Sequence, residues 1–307
     1  LRIGVFELSF VSLVKIPSTG EASFKEAISQ ALTLLDYRFD LGIKSVVIKP
    51  NLCYYWDSTT GQTTQPRFVG ALIDLIRQQI SPNVDIAIIE SDASAMRTKY
   101  AFRMLGYEAL AKEKGVRLVN LTNEACISTD VACNGNVYNF NVPKIISDAD
   151  LRINIAHIKY TVGSVKMTCV MKNIFGCNPA PKKYKYHADL ANVIVALNKV
   201  MPFNLNLIDS NIASGVQPRK LGLVMASTDP VAIDAAAAKI AWLNPSELTF
   251  LQVAEHEGLG TRAFVPRGES LERFRAIYPK VTSDMKVRAK LKRTLIGVGL
   301  GKRLGLE

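Results

Sequence analysis

The chain has 307 residues, 48% of them hydrophobic and 21% charged, which excludes a disordered or fibrous polypeptide and suits one large α/β domain or two smaller ones. No apolar run is long enough to span a bilayer, and the five cysteines (Cys53, Cys126, Cys133, Cys169 and Cys177) include no CxxC pair, which argues against a disulfide framework and against a ferredoxin-type iron–sulfur cluster. The formal net charge is +11, and residues 267–307 carry eleven Lys/Arg against four Asp/Glu, so most of the basic excess lies at the end of the chain.

Taken in chain order, the first β-branched run is IKSVVIK (43–49), followed by a polar loop and the helical pattern FVGALIDLIRQQ (68–79). NVDIAIIE (83–90), VRLVNL (116–121), LRINIA (151–156), NLNLID (204–209) and LGLVMAS (221–227) repeat the pattern, each bounded by helical segments. None shows the clean alternation of a one-sided antiparallel sheet. The runs predict an α/β fold: a mostly parallel sheet with helices on both faces. VYNF (137–140), after the Asn134-Gly135 turn signal, predicts an added antiparallel strand. Residues 162–200 read as helical on both sides of the Pro179–Pro181 break, and 228–243 as a helix capped by Thr228 or Asp229 with Pro230 in its first turn. The expected division is an α/β domain over 1–262, with a boundary between two α/β lobes near 120–150 as the alternative, then a basic helical extension over 263–307.

From Ser283 onward, Val287, Leu291, Leu295 and Val298 fall near one helical face, while Lys286, Lys290 and Arg293 fall largely on others. Such a helix either docks on the core or meets an anionic membrane surface. Nucleic acid is disfavoured, because basic residues are not interleaved with aromatics and no recognition motif is present. With no secretory signal in view, the expected location is cytoplasmic, with peripheral membrane contact through 283–307. The chain opens on Leu1 rather than Met, so part of a natural N-terminus is expected upstream.

In an open parallel sheet, ligands bind beyond the carboxyl ends of the strands. Those ends bring Lys49-Pro50-Asn51, Glu90-Ser91-Asp92, His157 with Lys159, Asp209 and Asp229. A lysine there is a point charge toward phosphate or carboxylate, and hydroxyls such as Thr64 at a following helix start add to an anion site. The stretch VKMTCVMKNIFGCNPAPKKYKYH (165–187) adds Lys172 and Asn173 before the Gly176 break, then three lysines and His187. Its cysteines are eight apart, too far for a redox pair, and read as core thiols. The three histidines (His157, His187 and His256) fit no metal spacing. No GxGxxG, Walker A or GxSxG pattern occurs, which removes support for standard dinucleotide, nucleotide-hydrolysis and α/β-hydrolase chemistry.

VVIKPNL (46–52), TTQP (63–66), IIES (88–91), DADLRINIAHIK (148–159), VMKNIFG (170–176), His187, LIDSNIASGVQP (207–218), LVMASTDPVAIDAAAA (223–238) and EGLG (257–260) together resemble the family catalogued as domain of unknown function 362, often labelled iron–sulfur-associated. The resemblance implies a fold and a site more than a reaction. Many members carry a ferredoxin-like cluster domain whose cysteines this chain lacks. Members also often place a His just after the lysine matching Lys159, where this chain reads Tyr160-Thr161, and an acid in the segment matching Ala213-Ser214-Gly215. The order Lys-Asn-x-x-Gly followed by His is also similar to the cofactor-lysine region of nickel-pincer lactate racemases.

The expectation is therefore one polar cleft that takes an anionic small molecule, phosphorylated compounds included. Lys49, Asn51, Thr64, Lys159 and Asn173 would bind the ligand. Lys172, His187 and Asp209 would stand at the chemistry. Glu90, Asp229 and Asp234 would supply carboxylates for a divalent metal or for proton transfer. The competing expectations are a non-catalytic scaffold recruited by the basic tail, and a redox partner protein.

Overall fold

The computed structural model describes residues 9–280 except 19, 53, 162–164 and 216. The basic helix expected from Ser283 lies outside the described residues.

The strands are β1 (Ser9–Lys15), β2 (Ser45–Lys49), β3 (Asp85–Glu90), β4 (Arg117–Asn120), β5 (Cys126–Cys133), β6 (Asn136–Pro143), β7 (Leu151–Ala156), β8 (Lys159–Tyr160), β9 (Met167–Thr168), β10 (Leu205–Ala213), β11 (Arg219–Ser227) and β12 (Phe264–Gly268). Eight of them form one sheet in the order β12-β1-β11-β10-β7-β2-β3-β4. Every neighbouring pair is parallel except those made by β11, which runs against both β1 and β10. The exception follows from chain length: β10 turns into β11 through a short link, and only an antiparallel pair can be closed that way.

Helices cover both faces because the strands alternate between two cores. Val47, Ala87, Ile89 and Val119 point into one core, with the helices Leu190–Val200, Pro230–Ile240 and Thr249–His256. Val46, Ile48, Ile86 and Ile88 point into the other, with the helices Glu21–Leu34 and Pro66–Gln79. Both side-chain rows of the central strands, such as β2, β3 and β10, are thus largely buried, so the sequence shows apolar runs rather than clean alternation. The sheet is continuous across the region of the expected lobe boundary: β4 lies at one edge and β7 near the centre.

Three local readings need comment. The Asn134-Gly135 signal does build a turn, with both residues at positive φ, but the hairpin β5–β6 around it is longer than VYNF alone. Residues 165–200 are far less helical than expected. Described there are β9, a four-residue helix (Val170–Asn173), two 3₁₀ segments (Ile174–Cys177 and Lys183–Asp189) and only then the helix Leu190–Val200. The apolar side chains in this stretch serve a buried loop, and burial of that kind has no helical period. Strands β1 and β12 are additional to the expected set. They pair with each other at one edge, which places residues 264–268 within the main sheet.

Asp229 is the N-cap of helix Pro230–Ile240, accepting the backbone N–H groups of Val231 and Ala232 at 2.7 and 2.9 Å. Ser9 Oγ and the Thr261 N–H also donate to it, at 2.6 and 2.9 Å. Asp229→Ala is therefore expected to lower stability by about 2 kcal/mol, read from the urea midpoint, because the cap and two further tethers are lost together.

Candidate active site

The carboxyl ends of the parallel strands converge on one set of buried polar groups. Strands β2 and β3 are paired in parallel, so their last residues, Lys49 and Glu90, end on the same side of the sheet. Lys49 Nζ donates to Glu90 Oε2 at 2.7 Å, and neither residue is more than 3% exposed. Lys49 Nζ also donates to the Pro50 carbonyl at 2.5 Å, while Glu90 Oε1 accepts the Ser91 N–H at 2.9 Å. Gly176 lies against the pair so closely that a Cβ there would stand 2.8 Å from Lys49 Cε and 2.9 Å from Glu90 Oε1. A side chain at 176 and the buried pair cannot coexist without movement.

A chain of asparagines crosses the neighbouring strands. Asn154 of β7 and Asn206 of β10 are register partners, and their amides meet at 3.1 Å. Asn173 Nδ2 donates to Asn154 Oδ1 at 2.7 Å and to the Ile155 carbonyl at 3.0 Å. Asn51 Nδ2 donates to Asn173 Oδ1 at 2.8 Å, and Lys159 Nζ donates to Asn51 Oδ1 at 2.5 Å. Thr64 accepts the Asn51 N–H at 2.9 Å and sits behind this chain. Each amide fixes the orientation of the next, so Lys159 is delivered at the end of a rigid network.

The loop 165–189 closes the site. Asp234 is fully buried and accepts the backbone N–H groups of Val170 and Met171 at 2.7 and 3.1 Å, which pins the short helix that carries Lys172 and Asn173. Burial raises the Asp234 carboxyl to about 7, with the two N–H donors opposing the shift. Cys169 and Cys177 are fully buried; burial pushes the Cys177 thiol up to about 12, so both are core thiols rather than thiolates. Further on, Lys183 Nζ donates to Ser91 Oγ at 2.5 Å, and Ser91 Oγ lies against the carbonyls of Gly176 and Asn178.

Part of this set lines a cavity of about 600 Å³. Lys49, Asn51, Glu90, Lys159, Lys172, Asn173 and His187 all border it. Asp209, Asp229, Asp234 and Thr64 do not. Asp209 accepts the Gln65 N–H at 3.0 Å, at the start of helix Pro66–Gln79, and stands 3.5 Å from His157 Nε2. Of the carboxylates expected to serve a metal, only Glu90 reaches the cavity, and the structure does not bring Asp229 or Asp234 to it. Among the described residues, no three of His, Cys, Asp and Glu gather in a way that could hold a metal ion. Sequence reasoning did not single out Lys183 among the three lysines before His187, a run that reads either as a solvated loop or, in a pocket, as an anion grip. Lys183 is 5% exposed, whereas Tyr184 and Lys185 beside it are exposed. Tyr54 and Trp56 on the cavity wall were also passed over. Tyr54 is held at φ 53, a region that bulky residues seldom enter.

Comparison with known proteins places the site in a family. The model described as "Domain of unknown function (DUF362)" matches residues 46–239, well over half of the chain. The chain belongs to this family. Every cavity group named above lies inside the DUF362 span. The Thylakoid-associated protein sll1697 of Synechocystis sp. is 30% identical over 129 residues, which are 38% of this chain and 40% of that protein. The chain is also similar to the lactate racemase apoprotein of Thermoanaerobacterium thermosaccharolyticum, at 12% identity and a TM-score of 0.45, covering 76% of this chain and 57% of that one. That likeness is too slight to carry site chemistry across.

Lys183 makes the DUF362 site sensitive to pH. Burial, helped by the Lys49 charge, lowers the Lys183 ammonium from 10.5 to about 8, with Glu90 opposing. Between about pH 8 and 10.5 the unfolded chain holds a proton that the folded chain has released, so stability from this group rises with pH. Below about 8 both states are protonated, and the penalty of burying the charge is fully present. Lys183→Met is therefore expected to gain stability relative to the parent below pH 8 and to lose that advantage as pH approaches 10.5. Paired urea titrations across this window check it, and a pH-independent difference would refute it.

Proposed function

We propose that this DUF362 chain is an enzyme or ligand-binding protein that takes an anionic small molecule, phosphorylated compounds included, in the lysine-lined cavity. The observation that carries this reading is the charge of the wall: Lys49, Lys159, Lys172 and Lys183 border the cavity, against Glu90 as its one carboxylate among the described residues. An anion in the cavity would face more lysines than carboxylates on its wall. Lysines suit this task as point charges, and the asparagine chain holds one of them in place.

Calorimetry with orthophosphate and pyrophosphate tests the reading. Binding is expected for these anions and not for glycerol. Lys172→Met should weaken it about tenfold, the factor that a charge-assisted contact of about 1.5 kcal/mol implies. Unchanged affinity in that variant, or no binding of either anion, would remove the proposal.

A second reading, membrane-peripheral attachment, is favoured by the name of the thylakoid-associated relative and by residues 283–307, with seven Lys/Arg against two Asp/Glu. Among the described residues no helix is long and apolar enough to cross a membrane. On this reading the protein works from the cytoplasmic side, and the basic segment binds anionic lipid. Co-sedimentation should then occur with vesicles containing phosphatidylglycerol but not with pure phosphatidylcholine, and should weaken with added salt. Binding that survives deletion of 283–307 would sink it.

A further inference from the structure

Lys183 has a feature that anion binding alone does not explain. Its side chain is buried, it forms no ion pair among the described residues, and its Nζ makes one hydrogen bond there, to Ser91 Oγ at 2.5 Å. Lys49, equally buried, has Glu90 as a direct partner. A buried lysine with a hydroxyl in place of a carboxylate is poorly held as a cation. It is better suited to the neutral amine, which needs only such a partner. Phe175 and Met96 add apolar surface to the same cavity, and Lys49 supplies a neighbouring positive charge. Burial and a nearby cation are the two conditions that free the lone pair of an amine near neutral pH. Burial, above all, brings Lys183 down to about 8, against the pull of Glu90 and with a smaller contribution from Lys49.

We propose that Lys183 is a nucleophilic amine that forms an imine with the carbonyl carbon of an anionic aldehyde or ketone held in this cavity. The charge assigned to the substrate rests on the anion-binding reading above; the amine does not. In the step, the nitrogen lone pair attacks the carbonyl carbon and forms the N–C bond, and the carbonyl oxygen takes up a proton. The C–O bond then breaks, and the oxygen leaves as water with the two protons that began on the amine. Amine plus carbonyl gives imine plus water, with no change in oxidation state. Ser91 Oγ–H is the hydroxyl beside Nζ, and it can relay a proton between nitrogen and oxygen. Lys159 and Lys172 border the same space and would hold the anionic group.

The test uses the full chain and two aldehydes, pyridoxal 5′-phosphate and pyridoxal, each followed by borohydride reduction and peptide mass spectrometry. Pyridoxal 5′-phosphate is expected to label Lys183 at concentrations that leave the exposed lysines unmodified. Orthophosphate should protect against it, and Lys183→Arg should remove the adduct. Equal labelling of Lys183 by both aldehydes would support the amine while removing the anion-binding reading. Adducts spread over exposed lysines with no preference for Lys183 would overturn the inference.

Discussion

The site is organised around a single buried ion pair, Lys49 with Glu90, at the carboxyl ends of two adjacent parallel strands. Parallel pairing puts both side chains at one end of the sheet, where both are buried at the wall of the cavity. Two desolvated charges persist there only if each has further partners, and they do: the Pro50 carbonyl for the lysine and the Ser91 N–H for the glutamate. Losing one partner would strand the other charge, at a cost of about 3–5 kcal/mol. That constraint spreads outward. It demands Gly176 in the loop that crosses above, because no side chain fits between. It also fixes the backbone that presents Ser91 to Lys183 and Asn51 to Lys159.

The rest of the site follows from the need to satisfy buried polar groups in a loop. Residues 165–180 run largely through the interior with little regular structure, so their backbone donors and acceptors need side-chain partners. Asp234 takes two N–H groups, Asn154 donates to the Val170 carbonyl, and Asn198 donates to that of Met171. The asparagines are effective here because one amide donates and accepts at once, which lets Asn51, Asn173, Asn154 and Asn206 form a continuous chain.

Much of this arrangement was legible in the sequence, and the failures have physical causes. The parallel sheet could be read because strands buried on both faces leave unbroken apolar runs. The site end of the sheet could be read because polar residues follow those runs: Lys49, Glu90 and Lys159 are found where the strand-end rule puts them. The loop 165–189 could not be read. Its apolar residues are buried by neighbours distant in sequence, which imitates the density of a helix without its period. Lys183 escaped for the converse reason. A lysine among Lys182, Tyr184 and Lys185 reads as part of a solvated loop as readily as of an anion grip, and only the fold reveals that one of the three lysines is turned inward.

The carboxylates show how an acidic residue near the site divides between two uses. Glu90, Asp209, Asp229 and Asp234 all looked available for chemistry. The last three accept backbone N–H groups at the starts of helices or loop segments, where a carboxylate offsets unpaired donors. Glu90 also accepts one backbone N–H, but its other oxygen meets a lysine at the cavity wall. The protein thus withdraws its negative charges into structural caps and leaves the cavity to its lysines. With Glu90 already paired to Lys49, the acid–base capacity of the wall rests on amines and on His187 rather than on a carboxylate pair. That lining is the one the proposed anionic ligand requires, since such a ligand brings its own negative charge.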